Sequence, residues 1–140
     1  MRLVSFNFTK INVERLVDTN EKIKISTNID LSDIIKGEVD LINSKEDLIH
    51  VKFKYFINYE PNYAKILLEG NLFITLPPKD SKELLKQWKD KKIPEDVRIF
   101  LFNVILMKSN IKALQFEDEF NLPPHIPLPR FSKENIEPGK

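Results

Sequence analysis

Apolar and polar residues alternate with a period of two over most of the first half of the chain. In "YAKILLEGNLFITL", residues 63–76, one parity holds Ala64, Ile66, Leu68, Gly70, Leu72, Ile74 and Leu76, all apolar or glycine. The other parity holds Tyr63, Lys65, Leu67, Glu69, Asn71, Phe73 and Thr75. Successive side chains of a strand point to opposite faces, so this pattern predicts a strand with one buried side. "LIHVKFKYFINY", residues 48–59, behaves alike: Ile49, Val51, Phe53, Tyr55, Ile57 and Tyr59 face in, and Leu48, His50, Lys52, Lys54, Phe56 and Asn58 face away. Glu60–Asn62 between them carries Pro61, which predicts a turn and an antiparallel hairpin. Upstream, Ile23, Ile25, Thr27, Ile29 and Leu31 share one side, Val39 and Leu41 continue the pattern, and "NSKED" supplies the next turn. The first stretch alternates at Val4, Phe6 and Phe8, then changes parity at Ile11 and Val13, which predicts a bulge or bend. These runs predict an antiparallel meander of four main strands, with room for an extra N-terminal one.

The period then changes. "PPKDS", residues 77–81, ends the strands, because proline cannot continue a ladder, and Asp80 or Ser81 can cap a helix. "SKELLKQWKDKK" predicts a short crossover helix with Leu84, Leu85 and Trp88 on one side. Pro94, followed by Glu95 and Asp96, predicts the start of a long helix reaching about Leu114. Val97, Leu101, Val104, Ile105, Met107, Ile111 and Leu114 form the stripe expected to cover the sheet. Ile99, Phe100, Phe102 and Leu106 are left pointing elsewhere. A helix that is apolar nearly all round must be covered on more than one side. A second copy of the chain can do this, so those four residues predict the interface of a two-fold homo-oligomer. Burying them would contribute on the order of 6–12 kcal/mol before association costs. The other candidate cover is the tail "NLPPHIPLPRF", proline-rich and extended. The expected class is α+β: a sheet of about four strands, a short crossover helix and one long helix packed on the sheet. Residues 1–131 would form a single domain, and residues 132–140 a polar C-terminal tail.

Composition narrows the function. A chain of 140 residues suits one domain with its own core. Lys plus Arg is 22 and Asp plus Glu is 21, a formal net charge of +1, which gives no net pull toward nucleic acid or anionic lipid. There is no cysteine, so disulfides, thiolate metal sites and a cysteine nucleophile are excluded, and a reducing cytoplasm fits. "MRLVSFNFTK" has no apolar h-region, so no secretory signal is expected, and the apolar run "IFLFNVILM", residues 99–107, is too short to span a bilayer. No H-x-x-x-H pair, G-x-S-x-G elbow or glycine-rich phosphate loop occurs. The expectation is a soluble, cytoplasmic protein that is not an enzyme and holds no cofactor or metal. Glu117, Asp118 and Glu119 could hold a cation, but with no further oxygen ligands patterned nearby they read as a solvated loop. His50, among lysines, reads as a solvated side chain rather than a pH switch.

The order of elements resembles the SecB family of export chaperones over roughly residues 22–131. "EGNLFITL" is similar to the family's G-x-F-x-I strand at Gly70, Phe73 and Ile74, with one extra residue after the glycine. Pro94 before the apolar helix resembles the family's proline-led first helix. "FNLPPHIPLPRF", Phe120 to Phe131, resembles its helix-connecting segment. The family's F-P-Y-x-R inside the helix is missing, with "IFLFN" in its place, and the acidic C-terminal tail of bacterial members is absent.

What the resemblance implies is an ATP-independent holdase, a dimer of dimers that binds unfolded or pre-export polypeptides along apolar grooves, without nucleic acid or membrane insertion. Surrounding charge, 31% of residues, would keep such surface from self-aggregating. Phe56, Leu67 and Phe73, on the sheet face opposite the core, read either as a strip for client chains or as a face packed on another subunit. Trp88 reads as a groove wall or a core cover. Ile126, Leu128 and Phe131 read as a groove rim or as packing on the chain's own helix. Two other readings stay open: an adaptor with one folded partner, and a small-ligand carrier with a cavity between sheet and helix.

Overall fold

The structure is a computed structural model that describes residues 1–16, 22–37 and 45–133. Val39, Leu41 and the start of the "NSKED" turn lie outside the described residues, as do residues 134–140 of the polar tail. Four strands form one antiparallel sheet: β1 (Arg2–Arg15), β2 (Lys24–Lys36), β3 (Asp47–Glu60) and β4 (Ala64–Leu76). Their spatial order is β1-β4-β3-β2. The α+β class stands, but the meander is limited to β2, β3 and β4. The N-terminal stretch is not an extra strand but the fourth one, and it returns to pair with β4.

The inward positions of β3 and β4 are buried as expected, but Leu48, Tyr63 and Thr75, expected to face away, are buried too. Ile49, Val51, Phe53, Tyr55, Ile57 and Tyr59 are buried, as are Ala64, Ile66, Leu68, Gly70, Leu72, Ile74 and Leu76. Both strands are central, so one whole face of each meets the core. The parity change in β1 is a bulge. Phe6 and Phe8 sit opposite Leu72 and Gly70, the register slips between Phe8 and Lys10, and Ile11 and Val13 then sit opposite Leu68 and Ile66. One extra residue thus keeps Phe6, Phe8, Ile11 and Val13 on the inner face, whereas Val4 falls at a second register shift, between Leu3 and Ser5, and is exposed. Phe6, Phe8 and Phe53 meet over Gly70, with ring centroids 5.1–6.3 Å apart. A Cβ on Gly70 would come 2.4 Å from the Asn7 carbonyl oxygen and 2.7 Å from Phe53 Cζ, so this cluster requires glycine there.

Two helices cover that face. α1 (Pro78–Trp88) starts one turn earlier than expected, because Pro77 takes the cap position and Pro78 the first helical one. Ser81 is not the cap; its hydroxyl is buried without a partner among the described residues. α2 (Glu95–Glu119) follows Pro94 and runs past Leu114 to Glu119, so the acidic run is helical rather than a loop. No helix among the described residues is long and apolar enough to cross a membrane.

The buried side of α2 is one unbroken ridge at four-residue spacing: Val97, Leu101, Ile105, Ser109, Ala113 and Glu117, with Val104 beside it. This corrects the expected stripe. Met107 and Ile111 do not face the sheet; they are 58% and 59% exposed. Over the first half of the ridge the sheet offers aliphatic and Phe side chains, and Val97, Leu101 and Ile105 pack on them. Beneath the second half stand Tyr55 and Tyr59 of β3 and Tyr63 of the turn before β4, and small Ala113 leaves room for them.

Candidate functional site

β2 is an edge strand, paired with β3 alone among the described strands. Such an edge presents unpaired backbone N–H and C=O groups. Beside it runs a groove of about 470 Å³. Ile29, Asp30 and Leu31 of β2 form one wall. Gln87, Trp88, Lys91, Lys92 and Ile93, at the end of α1 and in the connector, form the other, with Arg98 and Phe102 of α2. Ile29 and Leu31 lie two apart in the strand and so share the inner face. Trp88 is half-buried, and its indole N–H donates to Asp33 Oδ1 at 3.4 Å. Lys91 Nζ stands 4.5 Å from the centre of the Trp88 ring, a cation–π distance. The turn after α1 puts it there: Lys91 takes a left-handed backbone, φ 58, and the Lys92 N–H donates to the Gln87 carbonyl at 3.0 Å.

A second groove, about 670 Å³, lies at the far end of α2. It runs between Leu114 and Asp118 on the helix, Tyr63 at the start of β4, and the segment Asn121–Leu128. The helix ends there in a Schellman motif: Asn121 has φ 54, its N–H donates to the Asp118 carbonyl, and the Leu122 N–H donates to the Glu117 carbonyl at 2.8 Å. The turn folds the proline-rich segment back on the subunit.

A buried polar cluster fastens that strap. His125 and Glu117 side chains are 0% and 1% exposed, and Nδ1 of the ring lies 2.7 Å from Glu117 Oε1. Its Nε2 pairs with the Asn110 side-chain amide at 2.9 Å. The Tyr55 hydroxyl donates to Asn110 Oδ1 at 2.8 Å. The Tyr59 hydroxyl donates to the second Glu117 oxygen and lies 3.1 Å from the Pro123 carbonyl. Burial, with the charge of Glu117 adding to it, pushes the Tyr55 phenol up to about 12. Burial pushes the Tyr59 phenol up further, and its hydrogen bond to Glu117 and that carboxylate's charge add to the shift. The cluster has no nucleophile facing a base across open space; it holds strap, helix and sheet together.

The residues singled out from sequence fall in four places, and Phe102, expected at an oligomer interface, joins Trp88 in the β2 groove. Trp88 lines the β2 groove. Leu128 lines the second groove, Ile126 is half-buried nearby, and Phe131 is 88% exposed beyond it. Phe56, Leu67 and Phe73 are half-buried on the outer sheet face and line neither groove. Phe56 pairs with Leu67 across β3 and β4. Phe73 stacks on His50 at 4.5 Å, and His50 Nε2 meets Asn71 Oδ1 at 3.0 Å, so this histidine is partnered rather than merely solvated. The Lys54–Glu69 ion pair, 3.3 Å, separates the two apolar pairs. On α2, Ile99 is 52% exposed, while half-buried Phe100, Phe102 and Leu106 pack against the core. The outward ridge is therefore Ile99, Asn103, Met107 and Ile111. Among the described residues no group of three or more metal-ligating side chains is gathered.

Sequence reasoning missed Ile29, Leu31 and Lys91 of the first groove, and the whole cluster around His125. One signal was present: Glu117 continues the four-residue ridge of Ile105, Ser109 and Ala113, and a carboxylate on a buried ridge needs a partner.

No family model matches the chain, and no curated protein matches it in sequence. Among solved structures, its fold matches the Mycobacterium tuberculosis Rv1957 SecB-like chaperone, determined in complex with a ChAD peptide from the Rv1956 HigA1 antitoxin. The match covers 94% of this chain and 89% of that one, with a TM-score of 0.52 and 12% sequence identity. The fold is SecB-like.

Proposed function

We propose that this SecB-like chain is an ATP-independent cytoplasmic chaperone, a holdase that captures unfolded or pre-export polypeptide segments. The observation that carries this is the groove along the β2 edge, which no described strand beyond β3 pairs, with an apolar floor and Trp88 as its far wall. An extended segment added there gains backbone hydrogen bonds from β2 and rests alternate side chains on Ile29, Leu31, Trp88 and Phe102. That a SecB-like chaperone of the same fold was solved with a bound peptide supports the reading. The strap groove at Leu128, with Ile126 and Phe131, and the outer-face residues Phe56, Leu67 and Phe73 are further contact surfaces for a long client. Several weak contacts on one flexible chain raise overall affinity without any tight pocket. The work is binding rather than a reaction, and it uses no nucleotide, metal or cofactor.

The chaperone works as a homo-oligomer, a tetramer built as a dimer of dimers. Ile99 and Phe100, with Met107 and Ile111 along the outward ridge of α2, form its interface, Leu106 supports the ridge from its flank, and Phe102 serves the client groove instead. The test is light scattering from a refolding, aggregation-prone model protein. The chain should suppress the scattering in proportion to its concentration; scattering unchanged at an excess of chain removes the holdase assignment. A protein–protein adaptor with one folded partner is the second reading, and the structural neighbour's complex with a peptide from one antitoxin favours a single dedicated partner. Binding of several unrelated unfolded proteins decides against it.

A further inference from the structure

The rim of the β2 groove carries an excess of positive charge, three cations to one carboxylate. Lys91, Lys92 and Arg98 line it, against the carboxylate of Asp30. All three cations are exposed, and none forms an ion pair among the described residues. The next acid along β2, Asp33, is already engaged by the Ile34 N–H at 2.9 Å and the Trp88 indole. The chain as a whole is nearly neutral, at +1, so this local excess is not a reflection of composition. The floor beneath is apolar: Ile29, Leu31, Trp88, Ile93 and Phe102.

We infer that this groove selects by charge: it takes extended segments in which apolar side chains are interspersed with carboxylates, and it disfavours the same apolar pattern carrying lysines. The inference rests on the capture reading above and adds the class of segment. The geometry is specific. A strand laid along β2 sends alternate side chains, about 6.6 Å apart, toward the helices. Some of them meet the apolar floor, and a carboxylate at another of these same-facing positions reaches the three cations at the rim. The rim is open to water, so each pairing contributes modestly and fades with salt. The gain is mainly in selection among segments and in the rate of encounter.

The test uses two synthetic peptides with one apolar pattern, one carrying glutamates and the other lysines at the polar positions. Trp88 is the single tryptophan of the chain, so its emission reports occupancy of this groove directly. The glutamate peptide should shift Trp88 emission and bind about tenfold more tightly at low salt, with the gap closing as the Debye length shrinks. Reversing the rim with Lys91→Glu, Lys92→Glu and Arg98→Glu together should reverse the preference. Lys91→Gly suits the left-handed backbone and is expected to fold at least as well, yet should narrow the gap. Equal affinities, or a tighter lysine peptide, would overturn the charge selection while leaving capture intact. Binding that leaves Trp88 emission unmoved overturns it as well, and no binding by either peptide sinks both.

Discussion

His125 Nδ1 sits 2.7 Å from Glu117 Oε1, and neither side chain is open to solvent. The pair joins the proline-rich strap to the last turns of α2, and through Tyr59 it also joins both to β3. Breaking a buried pair by removing one member leaves the other desolvated and unpaired, which costs about 3 kcal/mol or more. His125→Ala should therefore lower the unfolding free energy by about that amount in urea titration. Glu117→Ala together with His125→Ala should cost clearly less than the sum of the two single changes. Strict additivity would mean the contact is incidental.

The same cluster predicts an alkaline limit. The Tyr55 phenol is raised from 10.0 to about 12, and Tyr59 is raised further, both mainly by burial. A raised folded value means that the stabilisation is fully present below pH 10 and is lost as the pH climbs through the folded values. Each phenol removes about 1.4 kcal/mol per pH unit in that window. Tyrosinate absorbance for two of the chain's three tyrosines should accordingly appear only with loss of the folded circular-dichroism signal. Smooth titration near pH 10 in the folded chain would contradict this.

Gly70→Ala should be strongly destabilising. The added methyl would come 2.4 Å from the Asn7 carbonyl oxygen, which is backbone and cannot swing aside, and 2.7 Å from Phe53 Cζ. A cost of about 2 kcal/mol or more is expected from overpacking, read as a lowered melting temperature. An unchanged midpoint would show that β1 and β4 can separate without penalty.

Ser109→Ala should go the other way. The hydroxyl is buried on the α2 ridge with no hydrogen-bond partner among the described residues. Removing it relieves a desolvated group and raises helix propensity, so a gain of about 1 kcal/mol is expected in thermal or urea unfolding. A loss of similar size would point to a buried partner such as water.

The exposed ridge of α2 gives the test of assembly. Ile99→Glu, Met107→Glu and Ile111→Glu together should lower the solution mass to that of a monomer while leaving the helical circular-dichroism signal in place. A wild-type chain that is already a stable monomer at micromolar concentration would remove the oligomer from the proposal.

Much of the fold was legible beforehand. The strict alternation in residues 48–59 and 63–76 comes from a sheet with one wet and one dry face, and such a face leaves its mark on every second residue. The bulge in β1 was legible for the same reason, because Phe8 and Ile11 cannot share a face without an extra residue between them. Pro94 and the apolar run after it marked the long helix. The candidate site was only partly legible. Trp88 was singled out and does line a groove, but Ile29 and Leu31 looked like ordinary core positions.

What the chain's own order of residues determined is therefore local: which segments are strands or helices, and which strand face is dry. Three matters were decided by tertiary structure alone. Strand order could not be read from alternation, since β1 carries a pattern that would suit either edge; pairing with β4 was settled by the match of its bulged register to Gly70. The inner face of α2 could not be read from hydrophobicity, because the bulky tyrosines beneath its second half select Ser109, Ala113 and Glu117 over Met107 and Ile111. The partnership of Glu117 with His125 spans two elements joined only by a folded-back turn. A side chain's partners depend on distances in space, and periodicity along one segment carries no information about what another segment will bring against it.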